Sequence, residues 1–310
     1  EDEINKYLNN ANEDEKIGLI TDNINKELSK TDNTKLKDEK GNRIVVPAGF
    51  KIINGATTVD KGIVIEDVTE TATKGSQFVW IPVGPITRAD GTTTEIKLNR
   101  YTFDENGIPT AQDDKIIDTY YQELEESNKG NTVAKSISDF KTSVLKNGGY
   151  YIGRYEARTA TARNAAGNAL TQITEKGTEN VYNYVTQLQA AQLSQNMYNS
   201  DKFTSDLINS YAWDTAIVFI QNCGTNSKYS RQNSLNTSLS QTGTTTDIQC
   251  NIYDMASNIM EWTTETSSNS SNPCIIRGGL YDDSRYTSYR YDDFTFFSFF
   301  SLGFRPLLYL

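Results

Sequence analysis

Asn251-Ile-Tyr-Asp-Met-Ala-Ser-Asn-Ile-Met-Glu-Trp262 is the stretch whose chemistry decides the fold. Glu261 and Trp262 fit a buried pair, with the indole body packed and its N–H satisfied inside the protein. A buried carboxylate is costly unless a cation meets it. Two arginines stand downstream to do so, in Arg277-Gly-Gly279 and Gly303-Phe-Arg305. Arg277 and Arg305 are therefore expected to pair with buried carboxylates such as Asp254 or Glu261. Gly278 and Gly279 permit a strand bend that a Cβ would block. All of these residues read as scaffold.

The chain between and around the two arginine segments is written in an unusual alphabet. From Thr266 to Leu310 it contains no Glu, Lys, Gln, Met or Trp, although these five types supply about one residue in five before that point. An Asn codon of the form AAY, randomised at its two adenines, yields Asp, Tyr, Ser, Thr, Ile, Phe, Leu or Arg. It never yields the five missing types. The segment Leu280 to Leu302 has the composition such a process leaves behind. In it, Asp282, Asp283, Arg285, Tyr286, Tyr289, Tyr291, Asp292 and Asp293 interleave aromatics with charges, as binding surfaces do. Phe294, Phe296, Phe297, Phe299 and Phe300 follow. On a strand over 294–300 they would place rings on both faces, whereas a half-exposed strand alternates apolar with polar. Several of them are therefore expected on a ligand-facing patch.

The rest of the chain bounds the function. At 310 residues it can bury a sizeable core, and 18 Tyr and 12 Phe make it aromatic-rich. A net charge of −10 offers no basic face for phosphates, so nucleic acid is not the expected partner. No apolar run is long enough to span a membrane. The chain begins at Glu1, which reads as a mature or trimmed form. Histidine is absent, which removes the commonest general base, the usual Ser and Cys triads and most transition-metal sites. A metal site would have to be a Ca²⁺-type carboxylate and carbonyl site, for which no specific motif exists, and no cofactor is expected. Cys223, Cys250 and Cys274 leave one thiol over if two pair, and spacing does not choose the pair.

Apolar residues at Ile4, Leu8, Ile17, Ile20, Ile24 and Leu28 fit one or two amphipathic helices in a stalk or linker over residues 1–42. The remaining 43–310 read as one domain. Strands are expected at Phe50 to Ile53, Gly62 to Glu66, Gln77 to Pro82 and Tyr150 to Tyr155. Helices are expected over Thr132 to Asn147, capped by Thr132 and stopped by Gly148, and over Ser205 to Asn222.

Further segments share an order with the opening stretch: Phe78-Val-Trp-Ile-Pro-Val-Gly84, Tyr151-Ile-Gly-Arg-Tyr-Glu-Ala157 and Tyr211-Ala-Trp-Asp-Thr-Ala216. Together with 251–262 and the two arginine segments, they resemble the formylglycine-generating-enzyme (sulfatase-modifying) superfamily over residues 78–305. The resemblance implies an α+β, C-type-lectin-like fold of the formylglycine-generating-enzyme subtype, here with an N-terminal helical extension. It casts Trp80, Glu156, Trp213, Asp254, Glu261, Trp262, Arg277, Gly278, Gly279, Gly303, Phe304 and Arg305 as scaffold.

The family's oxidases carry two cysteines a few residues after the Arg-Gly-Gly signature, and Leu280 to Ser288 has none. Its sulfoxide synthases need a histidine-based iron site, and this chain has no histidine. No catalytic residue is assigned, and the chain is read as a non-enzyme. A lectin-type scaffold with this tail is similar to the variable proteins of diversity-generating retroelements. That resemblance implies a replaceable binding surface over about 275–302, including Ile275, Ile276 and Leu280. Its partner would be a protein or glycan, met at a cell surface, outside the cell or on a phage virion. The alternatives are an enzyme with chemistry foreign to the family and a structural surface subunit assembled through its N-terminal helices.

Overall fold

The computed structural model describes residues 18–20, 24–26, 28–53, 56–112, 133–165, 173–174, 176–269, 271–294 and 297–310. The architecture is mixed and rich in sheet, with few helices. Its principal strands are β1 (Gly18–Leu19), β2 (Thr34–Lys37), β3 (Arg43–Val46), β4 (Phe50–Ile53), β5 (Val64–Asp67), β6 (Gln77–Pro82), β7 (Gly149–Gly153), β8 (Thr204–Leu207), β9 (Met260–Thr266), β10 (Cys274–Arg277), β11 (Arg290–Asp293), β12 (Leu302–Phe304) and β13 (Pro306–Tyr309). The helices are α1 (Ile137–Asn147), α2 (Gln187–Met197) and α3 (Ser210–Cys223).

A six-stranded antiparallel sheet in the order β8-β13-β7-β6-β5-β4 forms the centre. Its inner strands β6, β7 and β13 read as nearly continuous apolar runs because both faces are covered. Successive side chains point to opposite faces, so each strand feeds two cores. Phe78, Trp80, Tyr151 and Leu308 join one core with Leu188, Leu193 and Met197 of α2 and with Trp262 and Phe304. Val79, Ile81, Tyr150, Ile152 and Leu307 join the other with Phe140 and Val144 of α1 and with Trp213, Ile217 and Phe219 of α3. Strand β13, late in the chain, lies between β7 and β8, pairing Leu308 with both Tyr151 and Ser205.

The strands stand close to their expected places, and the helices less so. Thr132 lies outside the described residues; α1 is capped at Ser136, whose hydroxyl accepts from the Asp139 N–H at 3.1 Å, and Gly148 (φ 77°) ends it. The helix expected from Ser205 begins only at Ser210. Residues Thr204–Leu207 are drawn into the main sheet as β8, and Asn209 caps α3 through the Ala212 N–H at 2.8 Å. Helix α2 was not expected: its polar face obscures the repeat, but Thr186 and Gln189 make a reciprocal capping box.

The expected N-terminal helices take a different form where they are described. Residues 1–17 lie outside the described set, Gly18–Leu19 pairs with β2, and Ile24–Lys26 is a single 3-10 turn. Ile24 and Leu36 are buried in the same core as Trp80. The apolar residues of this segment are thus used by a sheet edge and the domain core. The β2–β3 hairpin also spans the Gly41-Asn42 turn.

Candidate ligand-binding surface

The segments singled out in the sequence meet in a four-stranded sheet of order β11-β10-β9-β12. Strand β9 lies inside it, antiparallel to β10 and parallel to β12. Glu261 stands between Arg277 and Gly303, and Trp262 between Ile276 and Phe304. The Trp262 indole N–H donates to the Val185 carbonyl at 2.7 Å. Arg305 closes on Glu261 at 2.6 Å with both side chains fully buried, and its remaining N–H groups donate to the carbonyls of Gly153 (3.0 Å) and Tyr253 (2.9 Å). Glu156, also buried, accepts from the Asn258 amide at 2.6 Å and from the Ile259 N–H at 3.2 Å. Gly279 has no room for a side chain, since a Cβ there would lie 1.8 Å from the Ala256 carbonyl oxygen.

Arg277 does not pair with Asp254 or Glu261. Arg305 already engages both oxygens of Glu261. Asp254, at φ 64°, gives its carboxylate to the Thr245 hydroxyl and the Gly243 N–H. Arg277 meets Asp214 of α3 at 2.5 Å and Glu265 of β9 at 3.4 Å instead. Its Nε donates to the Tyr289 carbonyl at 3.1 Å, tying the loop after β10 to the cluster. Arg290 of β11 reaches the same two acids from the other side, with Nε at 3.0 Å from Glu265 and Nη2 on Asp214. Arg100 adds a third cation, 3.0 Å from Glu265. Burial alone would raise the Asp214 carboxyl, but Arg277 and Arg290 hold it below the usual carboxylate range. Burial pulls the Arg277 guanidinium down, against the pull of the two acids.

Asp214, Glu265, Arg290 and Arg100 were not singled out in the sequence. For Asp214 a signal existed, because a lone acid in the apolar run Tyr211 to Ile220 needs a buried cation. For Arg100 and Glu265 no local pattern points to the site.

This cluster anchors one loop through Arg277, and a second loop follows β11. The first, 278–289, is pinned by backbone bonds from Tyr281 to Asn258 (2.9 Å), from Thr287 to Gln232 and from Ser288 to Ser230 (both 3.1 Å). The second, of which 294 and 297–301 are described, is held by the Tyr184 N–H on the Phe299 carbonyl (3.0 Å) and by the Asn183 amide on the Phe300 carbonyl (2.9 Å).

Of the residues assigned to the surface, Ile275 and Ile276 are instead buried. They lie inside β10, between β9 and β11; Ile276 joins the core of Trp80 and Trp262, and Ile275 on the other face is also shielded from solvent. Leu280 and Phe297 are half-buried against the core, and Asp293 is buried. Burial raises the Asp293 carboxyl. Phe296 lies outside the described residues.

The others reach the surface on loops or on the outer strand β11. Arg285 is clamped to Asp283 at 2.7 Å, and its guanidinium lies 5.8 Å from the Tyr289 ring and 5.7 Å from that of Tyr291. Tyr289 and Tyr291 stack at 6.5 Å, and Arg231 covers Tyr286 at 3.8 Å. Asp282 is exposed, and Asp292 accepts from the Asn269 amide at 2.7 Å. Tyr291, Phe294, Phe299 and Phe300 are 36–42% exposed. Phe299 packs on Phe300 at 4.3 Å, Phe297 lies 5.8 Å behind it, and Tyr281 approaches Phe300 at 6.4 Å. The described part of 294–301 is not a strand. A loop lets neighbouring rings share one side, which a strand forbids.

All three cysteines are free thiols, Cys274 fully buried and the others half-buried. Among the described residues, no group of three or more His, Cys, Asp or Glu side chains could hold a metal ion. Among the same residues, no helix is long and apolar enough to cross a membrane.

No protein-family model matches the chain, and no curated protein matches it. Among solved structures it is similar to Treponema denticola variable protein 1, at 12% identity and a TM-score of 0.37, over 77% of this chain and 98% of that one.

Proposed function

We propose that the chain is a ligand-binding variable protein with a C-type-lectin-like domain of the formylglycine-generating-enzyme subtype. Its loops 278–289 and 294–301 form a surface diversified by adenine-specific mutagenesis. The observation that carries this reading is a division of labour in the tail. The exposed rings at 294, 299 and 300 stand on a loop and that of Tyr291 on the outer strand β11, while Arg277, Arg290 and Arg305 fix the adjoining strands to buried acids. Such a surface exchanges its contacts without touching its supports. Each ring can bury roughly 150–250 Å² against a partner, and rigid aromatics lose little conformational entropy on binding. The ligand is a protein or glycan, and the site of display is a cell surface, the extracellular space or a phage virion.

Catalysis is not part of the proposal. Glu156, Asp254 and Glu261 are buried against protein groups, and none of them lines either of the two clefts near α2 and near Arg163. The deciding experiment is sequencing of the surrounding DNA. A second copy of the segment encoding about 275–302, differing from the first only where it carries adenines, is the expected result. Absence of a copy, or differences at other bases, overturns the diversification.

A further inference from the structure

A cleft of about 260 Å³ opens beside the C-terminal end of α2, and it shares no residue with the surface of loops 278–289 and 294–301. Its floor is a trio of rings: Phe50, Tyr198 and Phe203, with centroids 5.6–5.8 Å apart. Phe50 and Tyr198 are buried, whereas Phe203 is half-exposed. The opposite wall carries Thr69, Thr71 and Thr73 around Asp67.

Counting protons on that wall shows what it lacks. The Thr69 N–H and hydroxyl donate to Asp67 Oδ1, and the hydroxyls of Thr73 (2.6 Å) and Tyr198 (2.9 Å) donate to Oδ2. A hydroxyl has one proton and two lone pairs. Thr69 and Thr73 have therefore spent their protons on the carboxylate. Thr71 stands 2.9 Å from each of them and must be the donor in either contact, but it has one proton for two neighbours. Lone pairs are left over on Thr69 and Thr71, which reach solvent, while Thr73 is buried behind them. Asp67, enclosed by four donors, has no free edge for a cation. The wall accepts hydrogen bonds, the floor is aromatic, and the lining residues offer no charge to an incoming group.

We propose that this cleft is a second binding site, for a neutral pyranoside. A pyranose ring presents C–H groups on one face, which suit aromatic rings, and a rim of hydroxyl donors, which suits the threonine ladder. Exposed Thr71, Asn199 and Ser200 stand at the mouth, where ring hydroxyls enter.

The test is a saturation-transfer NMR titration of the whole chain with methyl glucopyranoside, methyl mannopyranoside and methyl galactopyranoside, with cyclohexanol as the ring lacking further donors. At least one pyranoside should bind with a Kd on the order of 1–10 mM, typical of a single ring in a shallow site. Thr71→Val, which replaces an exposed hydroxyl by a methyl of the same shape, should weaken binding at least about fivefold. Phe203→Ala should abolish it. A Phe299→Ser/Phe300→Ser double variant should leave it unchanged, which separates this site from the proposed ligand surface. The proposal is overturned if no pyranoside binds, if cyclohexanol binds as well as the pyranosides, if Thr71→Val has no effect, or if the tail variant removes binding.

Discussion

Asp214→Asn is the sharpest probe of how the surface is supported. In the native cluster Arg100, Arg277 and Arg290 face Asp214 and Glu265, so three cations meet two anions. The substitution keeps the shape and one acceptor for the Tyr101 N–H, which now donates to Asp214 at 2.9 Å. It leaves three cations against one anion. Arg277 is fully buried, and removing one partner of a buried pair costs about 3–5 kcal/mol because the remaining charge stays in the interior. Arg290 is 22% exposed and adds at most about 1 kcal/mol. Urea unfolding should therefore show a loss of about 3–5 kcal/mol, or a fall in Tm of about 6–15 °C. Arg290→Ala, which leaves the Arg277–Asp214 pair in place, should cost less than half of that. Hydrogen exchange should accelerate most in β10 and β11. A loss below about 1 kcal/mol for Asp214→Asn, or exchange that rises evenly over the sheet, would refute the idea that this cluster anchors the loop after β10.

Exposure and burial within the tail make further predictions. Phe299→Ser with Phe300→Ser should change stability by less than about 1 kcal/mol, while Phe304→Ala, at a fully buried ring, should cost about 3–5 kcal/mol in the same urea assay. Gly279→Ala forces a Cβ to within 1.8 Å of a carbonyl oxygen, so the variant should lose most of its native circular dichroism or fail to accumulate. Burial raises the carboxyls of Asp254 to about 7 and of Asp206 to about 6, and lifts Glu156 well above its ordinary value. In the unfolded chain such groups titrate near 4, so folding holds extra protons; the stabilisation is complete below that value and is lost as pH rises through about 6–7. Asp214 runs the other way and weakens the fold only in stronger acid. Unfolding free energy should thus be at least about 2 kcal/mol lower at pH 8 than at pH 5, and a flat or rising profile contradicts the burial assigned to these acids.

The sequence disclosed the middle of the sheet better than its surroundings. Runs such as Gln77–Pro82 and Gly149–Gly153 are apolar on both faces, and a strand covered twice has no competing reading. Ser205 to Leu207 misled because they directly precede a helical repeat at Ile208, Ala212, Ala216 and Ile220, and only pairing with β13 assigns them to the sheet. Charge alone pointed Arg305 to a buried acid but left Asp254 and Glu261 open, and only the packing of β9 against β12 selects Glu261. The partner of Arg277 was not legible, because Asp214 reaches it from a helix 63 residues away in sequence. Within the tail, composition marked the stretch but not its orientation. Ile275 and Phe299 come from the same alphabet, and only strand pairing separates the buried residue from the exposed one.

The place of β13 has a consequence for any rewriting of the loops before it. This strand is translated after residues 278–301, yet it fills the gap between β7 and β8 and brings Leu307 and Leu308 to the two cores. A chain cut short or shifted out of frame within those loops would never deliver it. The sheet is then split and both cores stay open, so the product is exposed to proteolysis as an unfolded chain. Copies that exchange one side chain for another keep their frame and their last strand. If the loops are rewritten as proposed, the topology would act as a proofreader of reading frame, blind to what the loops say but intolerant of any copy that does not read through to their end.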